Sequence, residues 1–332
     1  MADIAPPRAR IASPLTLRLA GLAGLLLALA ALWLLQGLGG GNWSFILGLR
    51  AQKLTALVTI GASVGVATVL FQTVSGNRIL TPSIMGFDAL YGLMQVLLVA
   101  GLGIVGFAQL PASAKFLTET ALMAGVALLL FGTLLRGGAR DVARTILTGV
   151  ILGVLFRAGQ GLVSRTLDPN DFAVVQSATF ANFGRPRGEV LGIGMMATFA
   201  ACTAAIWLSP RLDVMALGRE KAVTLGLNWG RMVLGVLALV AVLVAVSTAL
   251  VGPLAFLGLI VAGLAHAAVG RLPGGARHGA LLPAAALIGP VLLIGGQWLF
   301  ERLLGAQATL SVVIEFAGGM MFLALLLKGK IR

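Results

Sequence analysis

The chain has 332 residues, 59% of them hydrophobic and only 11% charged, with a formal net charge of +13. A soluble domain is about 45–50% apolar and about 25% charged, so this composition excludes one and fits helices packed in a bilayer. The apolar runs are continuous rather than alternating, which excludes a transmembrane barrel.

The basic residues sit mainly in the connections between apolar runs. Membrane orientation therefore accounts for the charge without a nucleic-acid partner. The fold class is all-α, a polytopic membrane protein. The single cysteine, Cys202, falls inside an apolar run, and no Cys/His spacing suggests a metal site.

Residues 1–14, basic and Pro-rich, read as a cytoplasmic tail, and 15–332 as one membrane domain. On the rule that a span needs about 20 mostly apolar residues, ten candidates follow in order. They are Leu15–Leu38, Leu54–Val74, Ile84–Phe107, Phe116–Leu135, Val142–Ser164, Gly188–Leu208, Met232–Val251, Leu254–Val269, Leu281–Phe300 and Thr309–Leu327. The seventh and eighth form one run broken only at Gly252-Pro253, where proline removes a donor and clashes with the preceding turn. An even number of spans puts both termini on one side. With that side inside, sixteen Lys and Arg face the cytoplasm and seven face out, as the positive-inside rule requires.

Between the fifth and sixth spans, residues 165–187 contain the turn signal Asp168-Pro169-Asn170 and then a stretch fit for a short surface or re-entrant helix. Between the sixth and seventh lies Leu208–Arg231, polar and cationic. Asp213–Leu217 and Arg219–Leu225 read there as two short helices broken around Gly218, a surface for something outside the membrane.

Chemistry inside the spans is sparse. Asp88, Glu119, Glu189 and Glu315 all lie within about two turns of a predicted span end, unlike the central acids of ion-coupled carriers. Arg157 is deeper, about seven residues from the outer end of the fifth span; it attracts an anionic substrate, snorkels to the outer interface, or pairs with an acid on a neighbouring helix. His266 reads as a packed or interfacial residue and His278 as part of a solvated loop, neither with an acid beside it in sequence. Gly295-Gly296 and Gly318-Gly319 mark close helix contacts. No nucleophile–base set and no P-loop is present, so the chain has no catalytic residues and no nucleotide site of its own.

Three segments together resemble a known family. Ala216-Leu217-Gly218-Arg219-Glu220-Lys221-Ala222 with Leu225-Gly226 is similar to the cytoplasmic coupling motif of the iron-siderophore, haem and cobalamin importer permeases. Gly252 to Val261 resembles that family's seventh-to-eighth connection, and Asn77 to Asp88 its segment after the second span, nearest to the siderophore branch. Two departures stand out. The Pro-His pair many members carry in the eighth span reads Ala262-Gly263, and the Arg-x-Pro-Arg before the second span reads Arg50-Ala51-Gln52-Lys53.

The resemblance implies a cobalamin-permease-like bundle of ten helices, one permease subunit of an ABC importer, moving ferric siderophores. Haem or cobalamin transport is the alternative, and an ion-coupled carrier a more remote one. It implies a second permease, identical or related, two ATPase subunits that bind ATP and magnesium, and an extracytoplasmic substrate-binding protein. No cofactor is expected on this chain. By position, coupling helices at 212–227 would meet the ATPase, Arg50, Lys53 and Arg302 would dock the binding protein, and Arg157 would lie near the substrate. Arg185 and Arg187 are weaker docking candidates.

Overall fold

The structure, a computed structural model, describes residues 13–36, 43–134, 142–181, 183, 188–303 and 310–327. The tail before Ser13, Arg185, Arg187 and the basic residues after Leu327 lie outside the described residues.

Helices account for nearly all of the described chain. They are α1 (Pro14–Leu35), α2 (Trp43–Ser75), α3 (Phe87–Gln109), α4 (Ala112–Leu134), α5 (Val142–Ser164), α6 (Pro169–Thr179) and α7 (Gly188–Trp207). The short α8 (Ser209–Met215) and α9 (Arg219–Thr224) follow, then α10 (Trp229–Val251), α11 (Leu257–Val269), α12 (His278–Leu303) and α13 (Leu310–Leu327). Their ends follow local chemistry. Ser13 accepts the Thr16 N–H at the start of α1, with Pro14 in the first turn, and Asn228 accepts the Arg231 N–H at the start of α10. α10 stops at Gly252, whose φ of 101° leads into Pro253.

Each of the ten predicted spans corresponds to an apolar helix, and among the described residues eight of these are long enough and apolar enough to cross a bilayer. The other two, α11 and α13, are shorter apolar helices. The eighth predicted span thus begins three residues late, because Gly252–Phe256 are unwound. The second predicted span, by contrast, is only the inner part of α2, a 33-residue helix that starts at Trp43. Polar residues end a hydropathy window without ending a helix.

At the centre stand α2, α10 and α12, the three most buried of the long helices. Small residues bring them together. A Cβ on Gly61 would collide with the backbone of Gly289 and Pro290, and one on Gly65 would meet the Ala285 carbonyl at 2.7 Å. Without a hydrophobic drive between helices in lipid, such close backbone approach supplies the packing energy. α1 and α5 lie at the periphery.

Hydrogen bonds sort the helix ends into two faces. On one, Arg18 at the start of α1 donates to Ala268 O near the end of α11 at 2.6 Å, and the start of α12 meets α8 and the end of α2. On the other, Arg50 on α2 donates to Leu34 and Gln36 carbonyls at the end of α1, and Lys53 pairs with Glu301 at the end of α12. This alternation agrees with the order in which the sequence reading placed the spans.

Candidate functional site

Three places carry the residues singled out by sequence. The first is the segment between α7 and α10. The first short helix begins at Ser209, four residues before the expected Asp213, because Pro210 in its first turn is compatible with a helix start. Leu212 and Met215 are its anchors, both fully buried in the main core. The chain then turns at Gly218, whose φ of 93° is open to glycine and costly for other residues. α9 ends in paired bonds from Gly226 N to Val223 O and Leu227 N to Ala222 O, both 2.9 Å. With Gly226 at φ 85°, this is a Schellman stop. Both motif glycines therefore answer a backbone need, and Ala222 is the one motif side chain fully buried.

Ala216, Leu217, Arg219, Glu220, Lys221 and Leu225 are exposed, as is Val223. Three large aliphatic groups thus stand in one short polar surface with three charges. Among the described residues Arg219, Glu220 and Lys221 form no ion pair. A surface of this mixed kind suits contact with a soluble partner better than burial in lipid.

The second place is the opposite face. Arg50 is half-buried and stabilises carbonyls left unpaired at the end of α1. Lys53 makes a 2.6 Å bond to Glu301 and lies 5.4 Å from the Trp33 ring. Arg302, next to Glu301, is exposed. The three basic residues do gather on one rim, yet two of them also hold α1, α2 and α12 together. On the same face a cavity of about 310 Å³ opens among α3, α4, α6 and α10, with Tyr91, Lys115 and Glu119 in its wall. Gln95 donates to Glu119 there at 2.7 Å.

The third place is Arg157. Its side chain is exposed, about one turn beyond the midpoint of α5. It is not isolated: Asp88 lies within electrostatic reach of both Arg157 and Glu315. Asp88 sits deeper than the sequence reading put it. Gly86, at φ 88°, packs on Gly153, the midpoint of α5, so the chain after α2 doubles back before α3 begins. Thr68, Thr81, Ser83, Asp88, Ser247 and Thr248 surround a small polar gap where this segment meets the unwound Pro253–Phe256 stretch. Among the described residues no group of three metal-ligating side chains occurs.

With that arrangement in view, comparison with known proteins is decisive. The model of the FecCD transport family matches residues 27–328. The chain belongs to the FecCD transport family. Among relatives of this FecCD chain, the petrobactin import system permease protein YclO of Bacillus subtilis is 36% identical over 94% of this chain and 97% of its own length. The petrobactin import system permease protein FatC of Bacillus anthracis is 30% identical over 84% of this chain and 78% of its own. The hemin transport system permease protein HmuU of Yersinia pestis is 26% identical over 86% and 84% respectively. A solved structure described as the inward-facing conformation of a metal-chelate type ABC transporter superposes with a TM-score of 0.79 at 23% identity, covering 95% of this chain and 99% of that one. The two chains thus share one fold.

One residue of this FecCD chain is placed quite differently from its reading as part of a solvated loop. His278 is 4% exposed and opens α12. Asp213 of α8 accepts from both its backbone N–H and its ring Nδ1 at 2.7 Å. The pair is 65 residues apart in sequence, so no local pattern could have joined them.

Proposed function

We propose that this chain is the permease subunit of an ABC importer that moves ferric siderophores across the cytoplasmic membrane, with both termini in the cytoplasm. The observation that carries this reading is the similarity to two petrobactin permeases, nearly full-length for YclO and over 84% of this chain for FatC, petrobactin being a siderophore. Haem and cobalamin permeases are also relatives, at lower identity.

In this reading the chain pairs with a second permease and with two ATPase subunits, which bind and hydrolyse ATP. Ala216, Leu217, Gly218, Arg219, Glu220, Lys221, Ala222, Leu225 and Gly226 form the coupling surface. Two short helices with anchored Leu212 and Met215 transmit displacement better than a loop would. On the outer rim, Arg302 meets acidic groups of a substrate-binding protein, steering and orienting it. Arg50 and Lys53 contribute positive potential there while tying down α1 and α12. Arg157 lies beside the pathway, which runs between the two permeases along α5 and α13, and attracts an anionic chelate by its charge.

The test is uptake into vesicles holding the permeases, the ATPases and the binding protein, with ferric siderophores, haem and cobalamin compared. Uptake of the ferric siderophore that needs ATP and an active ATPase is the expected result. Preference for haem or cobalamin would overturn the cargo assignment. Uptake that survives ATPase loss and collapses with the ion gradient would overturn the importer class.

A further inference from the structure

The helices α2 and α12 are fastened to each other at three levels. At the rim, Lys53 Nζ bonds Glu301 Oε1 at 2.6 Å, and Gln297 donates to the same oxygen at 2.9 Å. In the middle, Gly61 and Gly289 bring the two backbones into contact with no room for a side chain on either. At the other face, His278 Nε2 at the start of α12 lies 2.7 Å from Thr73 Oγ1 in the last turn of α2. Close-packed elements fixed in this way shift as one body rather than deform continuously.

The same imidazole is what holds α8. Asp213 Oδ1 accepts from the His278 N–H and from Nδ1–H. The carboxylate thereby caps α12 from another element, at the helix end where first-turn N–H groups have no partner and negative charge is favoured. Ser209 of α8 also comes close to Gly279 in that first turn. α8 packs on α12, α2 and α7, whereas α9 touches α8 and α10. One buried side chain therefore joins the segment read as the coupling surface to the pair of helices that reaches the opposite rim.

We propose that the Asp213–His278–Thr73 junction transmits displacement of α8 to the α2–α12 pair, and through it to the rim at Lys53, Glu301 and Arg302. His278 and Asp213 are positioning residues: neither touches cargo or nucleotide. Pushing or pulling α8 moves the end of α12 because two charge-assisted hydrogen bonds, one of them the cap on α12, tie them. The Gly61–Gly289 contact then carries α2 along. Occupancy of the rim by a binding protein and nucleotide state at α8 become linked through one rigid pair, and linkage of this kind acts in both directions. The inference rests on the coupling role proposed above for the α8–α9 segment.

The test uses the assembled complex in vesicles and reads two quantities: cargo moved per ATP hydrolysed, and the factor by which the binding protein stimulates ATP hydrolysis. Asp213→Ala is expected to lower both by about tenfold, the size of losing a hydrogen bond to a charged group. Asp213→Asn keeps an oxygen acceptor for both donors and is expected to restore most of each. Thr73→Val, which removes only the hydroxyl beside Nε2 in a nearly isosteric side chain, gives an intermediate loss and serves if Asp213→Ala fails to assemble. Assembled Asp213→Ala or Thr73→Val complexes with wild-type values of both quantities would overturn the junction. A wild-type complex with no ATP-dependent uptake would overturn the permease reading and this inference with it. Wild-type uptake with unchanged coupling in the variants overturns the junction alone.

Discussion

At the scale of single residues, the coupling motif is mostly a statement about backbone. Gly226 holds φ 85° and Gly218 φ 93°, so a side chain at either place is strained before any partner is considered. Gly226→Ala should cost the α9 stop about 1–2 kcal/mol, the left-handed penalty of an L-residue. The α9 surface would then fray, and uptake should fall while the amount of assembled permease stays near normal; undiminished uptake would show that α9 needs no defined end. The glycine-alanine-glycine spacing was legible in sequence because it is local. His278 was not, because its partners Asp213 and Thr73 are brought to it by the tertiary fold. The glycine pairs tell the same story. Gly318 does pack tightly on Phe256, but among the described residues the closest backbone approach between two long helices at a glycine is Gly61 with Gly289, two isolated glycines that no pair motif marks.

Whole elements were easier to read than their ends. Continuous apolar runs located ten helices, since transfer of about 20 apolar residues into lipid dominates every other local preference. What hydropathy does not see is a helix that continues into polar sequence, as α2 does through Arg50 and Lys53, or one that carries proline in its first turn, as α8 does. Nor does it see α11 shortened by an unwound turn. Two tests belong at this scale. Replacing Glu220 and Lys221 of α9 together by alanine should cut uptake by about tenfold or more, the loss expected when central interface contacts go, with binding-protein docking untouched. Equal uptake would remove α9 from the ATPase contact. At the end of α12, Arg302→Glu should weaken binding-protein docking by about tenfold at low salt. That difference should shrink as salt approaches about 1 M, where the screening length falls to about 3 Å. A salt-independent effect would mean lost packing rather than lost steering.

For the molecule as a whole, the surface around α5 is the one whose surroundings matter most. Little of that helix is buried against the rest of the chain, and Leu147, Ile151, Val154, Leu155 and Leu162 are all exposed at helical spacing. α1 is equally bare, so exposure alone does not separate a lipid face from a pathway. The charges do. α1 has only Arg18, at one end, whereas Arg157 of α5 lies about one turn past that helix's midpoint with Asp88 within electrostatic reach, and a charged guanidinium at that depth requires protein or water rather than acyl chains. In the complete importer, α5 should therefore face water at some stage of the cycle and α1 should not. A thiol reacts as its thiolate, which forms in water and not in hydrocarbon, so the two faces can be told apart chemically. In a Cys202→Ala background, Ile151→Cys in the assembled complex should react with a charged, membrane-impermeant maleimide, and bound ferric siderophore should slow that reaction. Leu27→Cys on α1, 71% exposed at its native side chain, should stay unmodified under the same conditions. Equal resistance at both positions would place α5 in lipid and leave Arg157 as a snorkelling anchor.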